Sequence, residues 1–220
     1  MRYCIVNADD FGASEGINRG VLEAHEQGVL TSASLMVERP ASAAAAAAAR
    51  RRPGLGVGLH FELTAPDAGP EHTRRTLAAQ LERFRTLLGA LPTHLDAHHN
   101  LHRRPDLAPH FAEIAAQHGL PLREHGPARY FSRFYGRWDG ESHPEQISVE
   151  RLLAMLANEI EGEITEVACH PGYRDPSFRS EYDAERETEL RTLCDPALRE
   201  GIARLGIRLI DHRDVPRAAA

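Results

Sequence analysis

Tyr3-Cys4-Ile5-Val6-Asn7-Ala8-Asp9-Asp10-Phe11-Gly12 is the stretch that decides how the rest of the chain is read. A short apolar run enters, two adjacent carboxylates close it, and a glycine follows. Such a run, bounded by turn chemistry, reads as a buried strand, so both carboxylates stand where that strand ends. A buried carboxylate is costly unless it is paired, hydrogen-bonded or metal-bound. A divalent cation would account for one of the pair and leave the other free as a base.

Working outward, short apolar runs alternate with helical ones along the 220 residues. Strands are expected at residues 3–8, 32–37, 55–63, 94–98, 120–123, 164–169 and 207–210. Helices are expected at 14–27, 40–52, 71–88, 105–118 and 148–160, and again from about 184. Gly28 stops the first helix and Pro53-Gly54 the second. Strict alternation implies parallel strands joined by right-handed crossovers. About seven such units favour an α/β fold of the distorted or incomplete (β/α) TIM-like barrel type over an open doubly wound sheet. Neither an internal repeat nor a linker-like boundary interrupts the pattern, so residues 1–220 read as a single domain. Asp9, Asp10, His60, His98 and His170 all fall at the C-terminal ends of expected strands. Barrel enzymes assemble their sites on that face.

Residues two apart in a strand share a side. Gly56 and Gly58 share one with His60, and read as leaving room around it. His94, Asp96 and His98 form a polar stripe on the fourth strand, and Glu166, Ala168 and His170 align on the sixth. In a regular strand Asp9 and Asp10 point to opposite sides. One carboxylate and two imidazoles with open positions suit a hydrolytic Zn²⁺ or a related divalent ion. Such an ion polarises a carbonyl and lowers the pKa of bound water. A free carboxylate as base and a separate histidine as acid complete the parts for hydrolysing an amide or ester. The bland alternatives are a hydrogen-bonded core role for His60, an N-cap role for the Asp pair, and simple solvation for His99 and His102.

Hydrophobic content of 42% and charged content of 26% are ordinary for a soluble globular protein. A formal net charge of -6 argues against a nucleic-acid or anionic-membrane binder. The Arg50-Arg51-Arg52 run closes an expected helix, where cations complement the dipole. No apolar run is long enough to span a bilayer, so no membrane insertion is expected. Cys4, Cys169 and Cys194 are odd in number and scattered, which reads as free thiols and not a disulfide framework. With no leader-like segment ahead of the first strand, a cytoplasmic location is expected.

Five motifs follow one another along the chain: Asn7 to Gly12 (NADDFG), Gly58-Leu59-His60-Phe61-Glu62-Leu63-Thr64, Thr93-His94-Leu95-Asp96-Ala97-His98-His99, Cys169-His170-Pro171-Gly172-Tyr173, and Leu209-Ile210-Asp211-His212-Arg213-Asp214. In these the chain resembles the YdjC-like carbohydrate deacetylases, from the first strand to the last. The resemblance implies a distorted (β/α) barrel and a metal-dependent hydrolase that removes an N-acetyl group from an amino sugar or sugar conjugate. It implies one divalent ion held by Asp10, His60 and His98, with Asp9 as base and His170 as the acid that protonates the departing amine. Mg²⁺ is the ion the family resemblance suggests, while two imidazoles make Zn²⁺ chemically comfortable. Asp96 is placed to orient a ligand from behind. Two departures stand out: Asn100 replaces a third consecutive histidine, and the region between the third and fourth strands is shorter than in chitooligosaccharide-active relatives.

Tyr130-Phe131-Ser132-Arg133-Phe134-Tyr135-Gly136-Arg137-Trp138 contains the only tryptophan. It reads as an aromatic wall over the active-site mouth, where a sugar ring could stack, or else as a contact between two copies in a homodimer or a self-packed loop. Two competing functions are a metal-dependent phosphoesterase on the same barrel and a catalytically silent sugar-binding protein. Against the first counts the lack of an evident phosphate-cradling glycine loop or a second carboxylate-rich metal site. Against the second counts the complete set of base, ligands and acid.

Overall fold

The computed structural model describes residues 1–63, 69–160 and 162–215; Thr64, last in the second motif, lies outside them. In chain order the elements are β1 (Arg2–Phe11), α1 (Glu15–Glu26), β2 (Ser32–Leu35), α2 (Ser42–Arg50), β3 (Gly56–Phe61), α3 (Pro70–Leu88), β4 (Leu95–Ala97), α4 (Ala108–His118) and β5 (Ala128–Phe131). Then come a short hairpin of β6 (Arg137–Trp138) and β7 (Glu141–Ser142), α5 (Val149–Asn158), β8 (Ile164–Cys169), α6 (Ala184–Cys194), α7 (Pro196–Arg204) and β9 (Ile207–Leu209).

Seven strands form one sheet, ordered β4-β3-β2-β1-β8-β5, with β9 also pairing β1. Every pairing in it is parallel. β8 lines one edge of β1 from Tyr3 to Ala8, so β9 and β2 share the other edge in succession. The curled sheet is a half-barrel, the incomplete (β/α) barrel that the alternation implied. β2, β3 and β8 are buried at every position, as befits parallel strands covered on both faces. One contiguous core runs from Cys4 to Ile207. In α2, Ala45, Ala46, Ala48 and Ala49 are buried, so the alanine tract is a close-packing face and not a disordered one.

Two expectations are corrected and one alternative is set aside. The fifth strand is not residues 120–123: Leu122 makes only an isolated bridge to Leu95. Pro121 lacks a ladder donor there, and the strand that fills the place is β5, inside the stretch read as irregular. β5 buries Phe131 while Arg129 is exposed, so its apolar signal is thin. The fourth strand is three residues long, and His98 opens a short 3-10 segment, His98–Arg103, instead of ending the strand. The Asp pair does not cap α1; Ser14 does, its hydroxyl accepting from the Ile17 N–H.

Candidate active site

At the end of β1 the pairing register with β2 shifts between Ala8 and Phe11, and Asp10 adopts φ +66°. A bulge re-aims side chains, and aspartate tolerates the left-handed region better than most residues. Two consecutive carboxylates therefore line the same cleft, where a regular strand would have sent them apart. Gly12 follows at φ +92°, and a Cβ there would stand 2.9 Å from Leu35 Cδ1 and 3.0 Å from the Met36 carbonyl. Only glycine fits.

Asp10 Oδ1 lies 3.2 Å from His98 Nδ1 and 3.5 Å from His60 Nε2. It is buried and forms no hydrogen bond of acceptable geometry. Its other oxygen accepts from Arg186 Nη2 at 2.6 Å. Burial would raise the Asp10 pKa, but the Arg186 guanidinium and the two imidazoles hold it well below the usual carboxylate range. Behind His60, Nδ1 donates to Asp96 Oδ1 at 2.7 Å, and Nε2 faces the cleft, where a cation would take the place of its proton. Burial pulls the His60 pKa down, yet the Asp96 and Asp9 carboxylates push it up to about 10. An orphaned carboxylate oxygen facing two ring nitrogens is a donor set that fits one divalent cation, with room for further ligands on the cleft side.

Asp9 is held differently. Arg123 Nη1 donates to its Oδ2 at 3.0 Å and Nη2 to its Oδ1 at 2.8 Å, a bidentate pair. Asn7 Nδ2 adds a third bond to Oδ1 at 2.9 Å. Against the upward pull of burial, Arg123 lowers the Asp9 pKa, so the carboxylate is ionised at neutral pH. Arg123 Nη2 also meets Asp96 Oδ2 at 2.6 Å and Glu166 Oε1 at 2.8 Å.

Beneath these groups lies a fully buried polar layer. Ser34 Oγ accepts from Asn7 Nδ2, donates to Asp96 Oδ2 at 2.7 Å, and stands 3.0 Å from His94 Nε2. The hydroxyl has one proton, so His94 carries its own on Nε2 and accepts from Thr93 Oγ1 at Nδ1. His94 stacks on His212, centroids 3.7 Å apart. A Cβ on Gly58 would overlap the His94 ring, and one on Gly56 would press on Asp211. The two glycines thus make room for neighbours of the site, and not for His60 as the strand parity suggested.

His170 follows β8, and because Ala8 pairs with Cys169 it sits beside the Asp pair. Burial pushes its pKa down to about 4, so the ring is neutral at neutral pH. Its Nδ1 has no hydrogen-bond partner and lies 4.0 Å from Glu189 Oε1. Glu189, fully buried on α6, accepts from the His170 backbone N–H and the Tyr182 hydroxyl. Burial raises the Glu189 pKa to about 8.

Asp9, Asp10, His60, His98 and His170 all line one cleft of about 350 Å³. Its wall includes Tyr130, Phe134, Tyr135 and Tyr182, with Tyr135 stacked on Tyr182 at 4.5 Å. Trp138 is not part of that lining; it stacks on His143 out on the β6–β7 hairpin, 44% exposed. The aromatic wall therefore exists in its first half only. Asn100 and His99, both at φ +53°, turn into the cleft lining as well. His102 is buried and pairs with Glu124, so it is not a solvated residue.

Sequence reasoning brought the five site residues together and missed Arg123, Arg186 and Glu189. The first follows an apolar run, Leu120-Pro121-Leu122, that reads as an ordinary strand. The other two sit in α6, where alternating charges resemble a solvated helix face.

A family model described as YdjC-like protein matches residues 3–204, and the chain belongs to that family. A carbohydrate deacetylase from Geobacillus stearothermophilus is 38% identical, the alignment covering 97% of this chain and 98% of the relative. A chitooligosaccharide deacetylase from Serratia marcescens is 36% identical, covering 97% of this chain and 99% of that one. Among solved structures, a protein from Enterococcus faecalis proposed to cleave cellobiose-phosphate superposes with a TM-score of 0.85 at 27% identity, covering 97% of this chain and 98% of that chain.

Proposed function

We propose that this chain is a metal-dependent carbohydrate deacetylase, one domain over residues 1–220, that hydrolyses the acetamide of an N-acetylated sugar or sugar conjugate. The observation that carries the reading is the convergence of Asp10 Oδ1, His60 Nε2 and His98 Nδ1 at the floor of a cleft also lined by Asp9 and His170. The names of the Geobacillus and Serratia relatives support the same reaction class.

Asp10, His60 and His98 would hold one divalent cation. When bound, it polarises the acetyl carbonyl and acidifies water. Two imidazoles among three ligands favour Zn²⁺ over Mg²⁺, which prefers oxygen donors. Asp9, ionised and clamped by Arg123, accepts a proton from the attacking water. His170 delivers a proton to the departing nitrogen, giving the free amine and acetate. His170 is neutral at rest, so the proton it gives up from one ring nitrogen is replaced at the other by that of Glu189, whose carboxyl stays protonated up to about pH 8 and ends the step as carboxylate. Tyr135 and Tyr182 form the platform for the sugar ring.

Free cysteines, with Cys4 and Cys169 buried, suit a cytoplasmic location. Among the described residues no helix is long and apolar enough to cross a membrane. Acetate release from a panel of N-acetylated sugars, with Zn²⁺, Mg²⁺ or chelator, tests the reading. Release from at least one sugar, lost with chelator, is expected; no release from any of them with either ion would sink it.

A further inference from the structure

A second carboxylate-rich cluster does exist, deeper in the half-barrel than the first. Asp9, His60 and Asp96 present ligand atoms within 4.8 Å of one another, and Glu166 reaches the same point from β8 through the Arg123 side chain. All four are at least nine-tenths buried. The position is filled by the guanidinium of Arg123, whose Nη2 lies 2.8 Å from Asp9, 2.6 Å from Asp96 and 2.8 Å from Glu166. Three carboxylates surround one fixed positive charge. On the far side His212 Nε2, 3% exposed and without a hydrogen-bond partner, faces Glu166 Oε2 at 3.8 Å.

We propose that Arg123 is a built-in cation standing where a second metal ion would bind, and that removing it turns the centre into a two-cation site. The inference rests on the reading that Asp10, His60 and His98 hold the first ion. His60 as a neutral imidazole offers one lone pair, and its Nδ1–H is engaged by Asp96. The deeper ion would therefore be held by carboxylate oxygens of Asp9, Asp96 and Glu166, a hard donor set suited to Mn²⁺ or Mg²⁺.

The consequence reaches the chemistry. In a two-ion centre Asp9 would be taken up as a ligand. With a guanidinium in the second position, both Asp9 oxygens are hydrogen-bonded in a fixed plane and no metal claims them. Asp10 can then serve the ion while its neighbour remains a base. Arg123 is the residue that makes two adjacent aspartates unlike.

The test uses the full chain, Mn²⁺ as the probe, native mass spectrometry for the count, and electron paramagnetic resonance for ion–ion coupling. Wild type is expected to bind one Mn²⁺ with an uncoupled spectrum. Arg123→Met, of similar bulk and no charge, is expected to bind two with a dipolar-broadened spectrum, and Arg123→Lys to stay at one. Two ions in the wild type, or no gain of an ion in folded Arg123→Met over the wild type at saturating Mn²⁺, would overturn the proposal. If Arg123→Met does not fold alone, saturating Mn²⁺ must fold it with two ions bound; failure to do so also overturns the idea. Should wild type bind none and Arg123→Met bind one, the deep position stands and the reading of Asp10, His60 and His98 falls.

Discussion

Gly58→Ala separates a packing requirement from a mere strand glycine. In a strand with ordinary φ, glycine to alanine stabilises by about 0.4–1 kcal/mol through the unfolded chain. Here the added methyl would stand 2.5 Å from His94 Nδ1 and closer still to two other ring atoms. Carbon contacts settle near 3.5–4.0 Å, so the ring must retreat by roughly 1 Å. It has nowhere to go, because His212 is stacked on it with centroids 3.7 Å apart and both rings are buried. Overpacking of this kind costs about 1–3 kcal/mol. Moving His94 off Ser34 also loosens the hydroxyl that donates to Asp96, and with it the carboxylate that orients His60. A net loss of about 2 kcal/mol is expected by urea denaturation, or a Tm drop of roughly 4–8 °C for a chain of this size. A second substitution, His94→Ala, should remove most of the penalty, so the pair is strongly non-additive. A Gly58→Ala protein as stable as wild type, within about 0.5 kcal/mol, would refute the reasoning.

Three further outcomes are expected. Asp96→Asn removes the carboxylate behind His60 Nδ1 and should weaken Zn²⁺ binding by about 10- to 100-fold, read by competition against a chromophoric chelator; unchanged affinity would remove Asp96 from that role. Tyr135→Ala should raise KM for an N-acetylated sugar by about 3- to 10-fold, the worth of one aromatic contact. Trp138→Ala should leave it unchanged, since that ring stands outside the cleft lining; the reverse ranking would restore the wall to the tryptophan. Glu189 gives a pH dependence: burial raises its pKa from 4.5 to about 8. A raised carboxyl pKa contributes stability that is fully present below about pH 4.5 and lost as pH rises through 8, at most about 5 kcal/mol. Denaturation at pH 5 and pH 8.5 should therefore show a smaller decline for Glu189→Gln than for wild type. An equal decline would mean the carboxyl is not held protonated.

The fold was legible because parallel strands buried on both faces leave apolar runs that need no context. β1, β3 and β8 announce themselves in this way. β5 did not, because an edge strand that buries only Phe131 of its four residues has little apolar signal, while Leu120-Pro121-Leu122 has more signal than structure. That Asp9, Asp10, His60 and His170 share one cleft was legible because strand ends map onto one face of a barrel, and His98, one residue past β4, lines the same cleft. Their partners were not. Arg123 enters the site from the end of a run that reads as an ordinary strand, and Arg186 from a helix whose charges read as a solvated face; only tertiary packing turns both inward. Strand parity failed at Asp10 for a related reason, since a bulge and a left-handed φ leave no mark in an alternating pattern.

The central claim is that the Asp pair is divided, Asp10 toward a cation and Asp9 toward a proton. Metal content and acetate release measured side by side in Asp9→Asn and His60→Ala test it most directly. The account predicts that Asp9→Asn keeps wild-type metal content and loses at least about 100-fold in acetate release, whereas His60→Ala loses the metal itself. Full acetate release from Asp9→Asn, or undiminished metal content in His60→Ala, would contradict it.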